Sequence, residues 1–159
     1  MNALLEHLAK QIRSAQRLLE IVIAQGAAIR RRDVEGVLAR LGDVQVEMAH
    51  RHRLELERDE LLRQAGAALG CAPDSVDLEA MLALVPADVG DVARRRSAEL
   101  KGLLREVGRM HDQNRVLIRQ ELAFLDHLMR VLADAPQAGY SATGFTSAPQ
   151  STNVVDARA

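Results

Sequence analysis

Glu47 and His50 bound the segment EMAH. A carboxylate three residues ahead of an imidazole is the spacing by which one helix offers two ligands to a di-iron bundle site. That chemistry needs a second Glu-x-x-His on another helix and two further inward carboxylates, and the chain has no second copy. His50 and His52 are two residues apart and leave a helix in different directions, so they do not chelate together. A solvated helix face accounts for this cluster. Cys71 is the only cysteine, which excludes an intramolecular disulfide and a cysteine-based zinc site. There is no glycine-rich phosphate loop and no nucleophile elbow. Catalysis, a metal and a cofactor are therefore not expected.

The arginine runs at Arg30–Arg32 and Arg94–Arg96 raise nucleic acid as a ligand. Aromatic residues make up only 2% of the chain and its net charge is −1, so neither base stacking nor a general positive field supports it. Of 21 basic residues only Lys10 and Lys101 are lysine, a bias in keeping with a GC-rich coding sequence. A lone cysteine fits a reducing compartment. The N-terminal MNALLEHLAKQIRSAQ carries charges from Glu6 onward, unlike a signal peptide. No stretch approaches the roughly 18–20 apolar residues of a membrane span. The expectation is a soluble, cytoplasmic protein that neither enters a membrane nor binds nucleic acid.

The elements that must position any site are helices. Leu5, Ile12, Leu19 and Gly26 form one heptad column, and Leu8, Ala15, Val22 and Ile29 a second, which predicts a helix over 3–31. Asp33 reads as the N-cap of a helix over 34–69. The first half of that helix has a seam at Val34, Val37, Leu41, Val44 and Met48. Its middle, HRHRLELERDE, is so charged that it is expected to project from the core or pack loosely. Gly70 and Pro73 punctuate a loop, a short helix follows over 75–85, and Pro86 precedes a last helix over 87–133. The fold class is all-α, an elongated antiparallel hairpin or three-long-helix bundle with a short extra helix, comprising residues 1–133. From 134 to 159 Pro, Gly, Ser, Thr and Gln dominate, and a disordered tail is expected.

The last helix has more apolar surface than a two-helix seam uses. Leu103, Met110, Leu117, Phe124 and Val131 repeat at intervals of seven, flanked by Leu104, His111, Ile118, Leu125 and Leu132 and by Leu100, Val107, Asn114, Glu121 and Leu128. Leu122 and Met129 widen the stripe. His111, Asn114 and Glu121 interrupt it, either as register-setting positions or as hydrogen-bonding contacts to a bound helix. Met48, Met110 and Met129 suit an adaptable binding surface or plain core.

Three stretches resemble the FlgN-type flagellar type III export chaperones. LLEIVIAQGAAIRRRDVEGVLARLGDVQ (Leu18–Gln45) is similar to that family's passage between its first helices. LLREVGRMHDQNRVLIRQELAFLDHLMRVL (Leu103–Leu132) is similar to its last helix, and YSATG (Tyr140–Gly144) to a Tyr-x-Ala-x-Gly signature beyond it. The resemblance implies binding without catalysis. The clients would be the C-terminal amphipathic helices of the hook–filament junction proteins FlgK and FlgL, held in the cytosol and delivered to the membrane export gate. Client contacts are then expected among Leu103, Leu104, Val107, Met110, Asn114, Leu117, Ile118, Leu122, Phe124, Leu125 and Met129, some of which must instead face the first helix. Docking to the cytoplasmic domain of the gate is expected at Tyr140, Gly144 and Phe145, with the tail ordering on contact. A homodimeric coiled-coil scaffold burying the same column, or an adaptor for another secretion system, remains an alternative, as does a homo-oligomer in the absence of client.

Overall fold

A computed structural model of the protein describes residues 3–134. Four helices follow one another: α1 (Ala3–Arg30), α2 (Val34–Leu69), α3 (Leu78–Leu82) and α4 (Ala87–Asp134), with a 3-10 turn at Pro73–Ser75. Among the described residues there is no strand, so the fold is all-α. The chain divides into two compact units, Met1–Phe124 and Leu125–Ala159. The described part of the second unit is the end of α4, and every residue from Leu125 to Ala133 is exposed there.

The first unit is built on α1. Side-chain pairs Lys10–Glu57, Gln11–Glu55 and Ser14–Glu47 join it to α2 at sequence separations of 47, 44 and 33, shrinking towards the turn as an antiparallel hairpin requires. The contacts of α4 with the first hairpin, Arg96 to Leu5, Asn114 to Val22 and Glu121 to Arg32, keep offsets of 91, 92 and 89 residues. That nearly constant offset makes α4 parallel to α1. Both heptad columns of α1 are spent on this double contact, with Leu8, Ile12, Ala15, Val22, Gly26 and Ile29 all buried. Near the N-terminus Leu4 and Leu8 cluster with Leu82 of α3 and Ala93 of α4.

Local chemistry sets the element ends. Asp33 accepts a hydrogen bond from the Gly36 amide at 2.8 Å, capping α2, and Asp77 caps α3 through the Ala80 amide at the same distance. α2 ends at Gly70, whose φ of 70° is the left-handed stop glycine adopts without a Cβ clash. The short helix expected over 75–85 is instead a 3-10 turn followed by five residues of α3, because Pro73 opens the turn and Asp77 is the capping side chain.

The structure corrects the expected behaviour of α2 in part. In its charged middle His52, Arg53, Leu56, Glu57, Arg58 and Asp59 are exposed, but Leu54 is only 1% exposed and anchors the stretch; just before it, Glu47 is buried with Ser14 Oγ and Arg17 Nε donating to its carboxylate. Burial pulls the Glu47 pKa upward, but the hydrogen bonds from Arg17 and Ser14 and the charges of Arg17 and His50 outweigh it, leaving the group below the usual carboxylate range. Glu47 is thus not part of a solvated face. The seam residues Val34, Leu41 and Met48 are exposed, while Val37 and Val44 are half-buried. Polar pairs with α1, together with the buried Leu54, hold α2 in place along its length.

His7 supplies a pH response. It is buried, with Gln11 Nε2 3.4 Å from its Nε2 and Glu57 Oε2 3.7 Å from its Nδ1. A Gln11 amide donating to Nε2 places the ring proton on Nδ1, facing Glu57. Burial lowers the His7 pKa below 6.5, and the nearby Glu57 carboxylate and the charge of Glu55 offset only part of this, with Lys10 lowering it further. The unfolded chain therefore takes up the proton first, and stability falls as the pH drops through 6.5 towards the folded-state value. Urea midpoints at pH 7.5 and 5.5 test this: the wild type is expected to lose more stability over that interval than His7→Gln. Equal losses would contradict it.

Candidate functional site

Along α4 the side chains sort by what they touch. Asn114 is 1% exposed, and its Nδ2 donates to the Val22 carbonyl at 2.8 Å and to Gln25 Oε1 at 3.3 Å. It meets α1 at Gly26, where an added Cβ would lie 2.4 Å from Asn114 Oδ1. A glycine there lets the asparagine fill the space a side chain would occupy. The column holding Asn114 is thus the α1-facing seam, with Leu100 and Val107 half-buried. Leu103, Met110 and Leu117 flank it and are also half-buried. These placements separate core from surface within a stripe whose spacing alone left them equivalent.

From Leu104 onward the other large apolar side chains of α4 are open to solvent. In the first unit these are Leu104, Val116, Ile118, Leu122 and Phe124. In the second unit they are Leu125, Leu128, Met129, Val131 and Leu132, with Met129 68% exposed. Scattered single apolar residues are ordinary on a surface, whereas a run of them on one helix marks an interaction site. Val116 lies outside the heptad columns, which is why spacing did not single it out. His111 is exposed, and Glu121 is half-buried.

Arg32 ties the α1–α2 turn to this surface. The amides of Arg32 and Asp33 donate to the carbonyls of Ile29 and Ala28, closing α1 with a Schellman-type turn. Glycine is the usual residue at that position, yet here Arg32 takes a φ of 57°. Its guanidinium carbon lies 5.4 Å from the Phe124 ring centroid, and its Nε donates to Glu121 at 2.9 Å. The pair is exposed, so it contributes little to stability, but it gives Phe124 and Glu121 a defined partner. No feature of the sequence distinguishes Arg32 from its neighbours in the arginine run.

The other sequence candidates place as follows. Among the described residues no three His, Cys, Asp or Glu side chains gather as a metal site, and Glu47 of EMAH is held by Ser14 and Arg17. Cys71 is exposed in the loop after α2. Among the described residues no helix is long and apolar enough to cross a membrane. Tyr140, Gly144 and Phe145 lie outside the described residues.

No curated protein and no solved structure matches the chain. A family model described as FlgN protein matches residues 1–148, nearly the whole length and all of the helices described above. With an all-α bundle, an exposed apolar run on its last helix and a match of that extent, the chain belongs to the FlgN family, and it is a flagellar chaperone rather than an enzyme.

Proposed function

We propose that this protein acts in the cytoplasm, where it holds the C-terminal amphipathic helices of hook–filament junction proteins of the FlgK and FlgL type and delivers them to the type III export gate. The observations that carry this are the exposed apolar side chains of α4: Val116, Ile118, Leu122 and Phe124 in the first unit, and Leu125, Leu128, Met129, Val131 and Leu132 in the second. A client helix awaiting export has an apolar stripe with no partner, and a second helix presenting anchors at helical spacing covers it. Leu104, Ile118, Leu122, Leu125 and Met129 share one face of α4 and are the principal anchors, while Phe124, two residues from Leu122 and covered by Arg32, lies off that face. Leu103, Val107, Met110 and Leu117 contribute the edges they leave open. Asn114 holds α4 in register on α1, and its place in client binding is indirect.

Side chains already half covered release about 1 kcal/mol each on full burial, less than the ~1.5–3 kcal/mol of a fully exposed one. Five or six such anchors, less the cost of association, support micromolar affinity. Tyr140, Gly144 and Phe145 form the address, docking the cytoplasmic domain of the gate, with the tyrosine ring as anchor.

Calorimetric titrations test both halves. A junction-protein C-terminal peptide is expected to bind the wild type and Tyr140→Ala alike and Leu122→Asp at least about tenfold more weakly, since losing one anchor and burying a charge exceeds 1.4 kcal/mol. The soluble gate domain is expected to bind Leu122→Asp and fail with Tyr140→Ala. No binding of either partner by the wild type would refute the proposal.

A further inference from the structure

A cleft of about 570 Å³ opens in the first unit, lined by α1, α2, α3 and α4. Leu4 and Gln11 of α1, Glu55 and Leu62 of α2, and Leu104 of α4 line it, and Met81 of α3 shares its wall. Each long helix continues its lining column beyond the cleft at intervals of seven. On α2 the column of Leu62 and Glu55 runs back to Met48, Leu41 and Val34. All three are exposed. On α4 the column of Leu104 continues as His111 and Ile118, both exposed, and on α1 that of Gln11 continues as Leu18 and Gln25. The antiparallel α1–α2 register and the parallel α1–α4 register bring these continuations to matching levels. The groove therefore extends past α3, and nothing among the described residues covers its upper α2 wall.

We propose that the client helix lies in this open upper half of the α2–α4 groove, so that α2 supplies a second wall and the client completes a four-helix packing whose lower half α3 already fills. This rests on the client-binding function proposed above and specifies the seat and the partner's chemistry. The wall from Val34 to Met48 is about 21 Å long, enough for roughly four turns of helix. Alongside this open half the lips carry Leu38 and Gln45 on α2 and Gly108, Arg115 and Leu122 on α4, with no carboxylate; lower down, beside the cleft, the same columns hold Asp59 and Lys101. Arg115 has only a long 4.0 Å contact to Asp112. A helix with an aliphatic stripe and acidic flanks fits such lips. A second copy of the groove does not, because a two-fold pairing sets Lys101 and Arg115 against each other.

The full-length protein is titrated with a junction-protein C-terminal peptide and with two synthetic amphipathic peptides sharing one leucine stripe, flanked by Glu or by Lys. Leu41→Asp and the milder Leu41→Gln, both at an exposed position, are run beside the wild type after matching their helical content and urea midpoints. The expected result is that both weaken the junction peptide, Leu41→Asp by about tenfold or more. The Glu-flanked peptide is expected to bind more tightly than the Lys-flanked one, and Arg115→Glu to reverse that order. Junction-peptide binding unchanged in the Leu41 variants but lost in Leu122→Asp would overturn the α2 wall while leaving the chaperone function intact. Equal affinity for the two synthetic peptides would overturn the acidic partner. A wild type that ignores the junction peptide overturns the function and the seat together. A constitutive dimer dissociated by Leu41→Asp assigns the groove to a second copy and overturns the client as its occupant.

Discussion

Leu54→Ala is expected to lower stability by about 2–5 kcal/mol, the range for removing a large aliphatic side chain from a packed site that relaxes only partly. Leu54 is 1% exposed and sits in the middle of a charged stretch of α2. Around it the polar pairs Gln11–Glu55 and Ser14–Glu47 hold α1 and α2 together, so the cavity left by the mutation cannot close by a simple slide of one helix. Leu56→Ala, two residues on and directed to solvent, is expected to change stability by less than about 0.5 kcal/mol. Urea unfolding gives both numbers, with the same m-value for the two variants. A Leu54→Ala cost as small as that of Leu56→Ala would mean that the middle of α2 is loosely packed after all.

The second large effect is a reversal of sign. Gly26→Ala in a helix interior ordinarily stabilises by about 0.5–1 kcal/mol, through helix propensity and a less free unfolded chain. Here the new methyl would stand 2.4 Å from Asn114 Oδ1. Asn114 has little freedom to give way, because rotation of its amide breaks the 2.8 Å bond to the Val22 carbonyl in a fully buried setting. The substitution is therefore expected to destabilise the wild type by about 1–3 kcal/mol, as overpacking does. In an Asn114→Ala background the obstacle is gone, and Gly26→Ala is expected to become stabilising by about 0.5–1 kcal/mol. The coupling in this double-mutant cycle, about 1.5–4 kcal/mol, reports the α1–α4 contact directly. Additive effects would remove Asn114 from the seam.

The number of helices and their approximate ends were legible in the sequence because they depend on local signals: heptad columns, the Asp33 cap, and the Gly70 and Pro73 stop. Within α4 the spacing identified an apolar stripe but could not divide it. What divides it is the α1 partner, through Asn114 against Gly26, and that pairing is tertiary. On α2 periodicity misleads for a physical reason. It points to the early apolar residues as the seam, whereas α1 is met through matched polar partners, Ser14 and Arg17 with Glu47 and Gln11 with Glu55, which apolar periodicity does not weigh. The same error concealed the exposed row Val34, Leu41 and Met48. Arg32 was illegible altogether, since its left-handed backbone and its reach to Phe124 have no counterpart in composition or spacing. The family likeness of Leu18–Gln45, Leu103–Leu132 and Tyr140–Gly144 agrees with the family match over residues 1–148.

The central claim is that a client helix settles on the exposed apolar side chains of α4. Amide hydrogen exchange of the full-length protein, with and without a saturating junction-protein peptide, tests it most directly. Helix with no packed neighbour exchanges fast, so residues 125–133, all exposed, are expected to exchange quickly in the free protein and to slow markedly on binding, while the already protected core of α1 changes little. Slowing confined to segments outside α4, or no change at saturation, would contradict the claim.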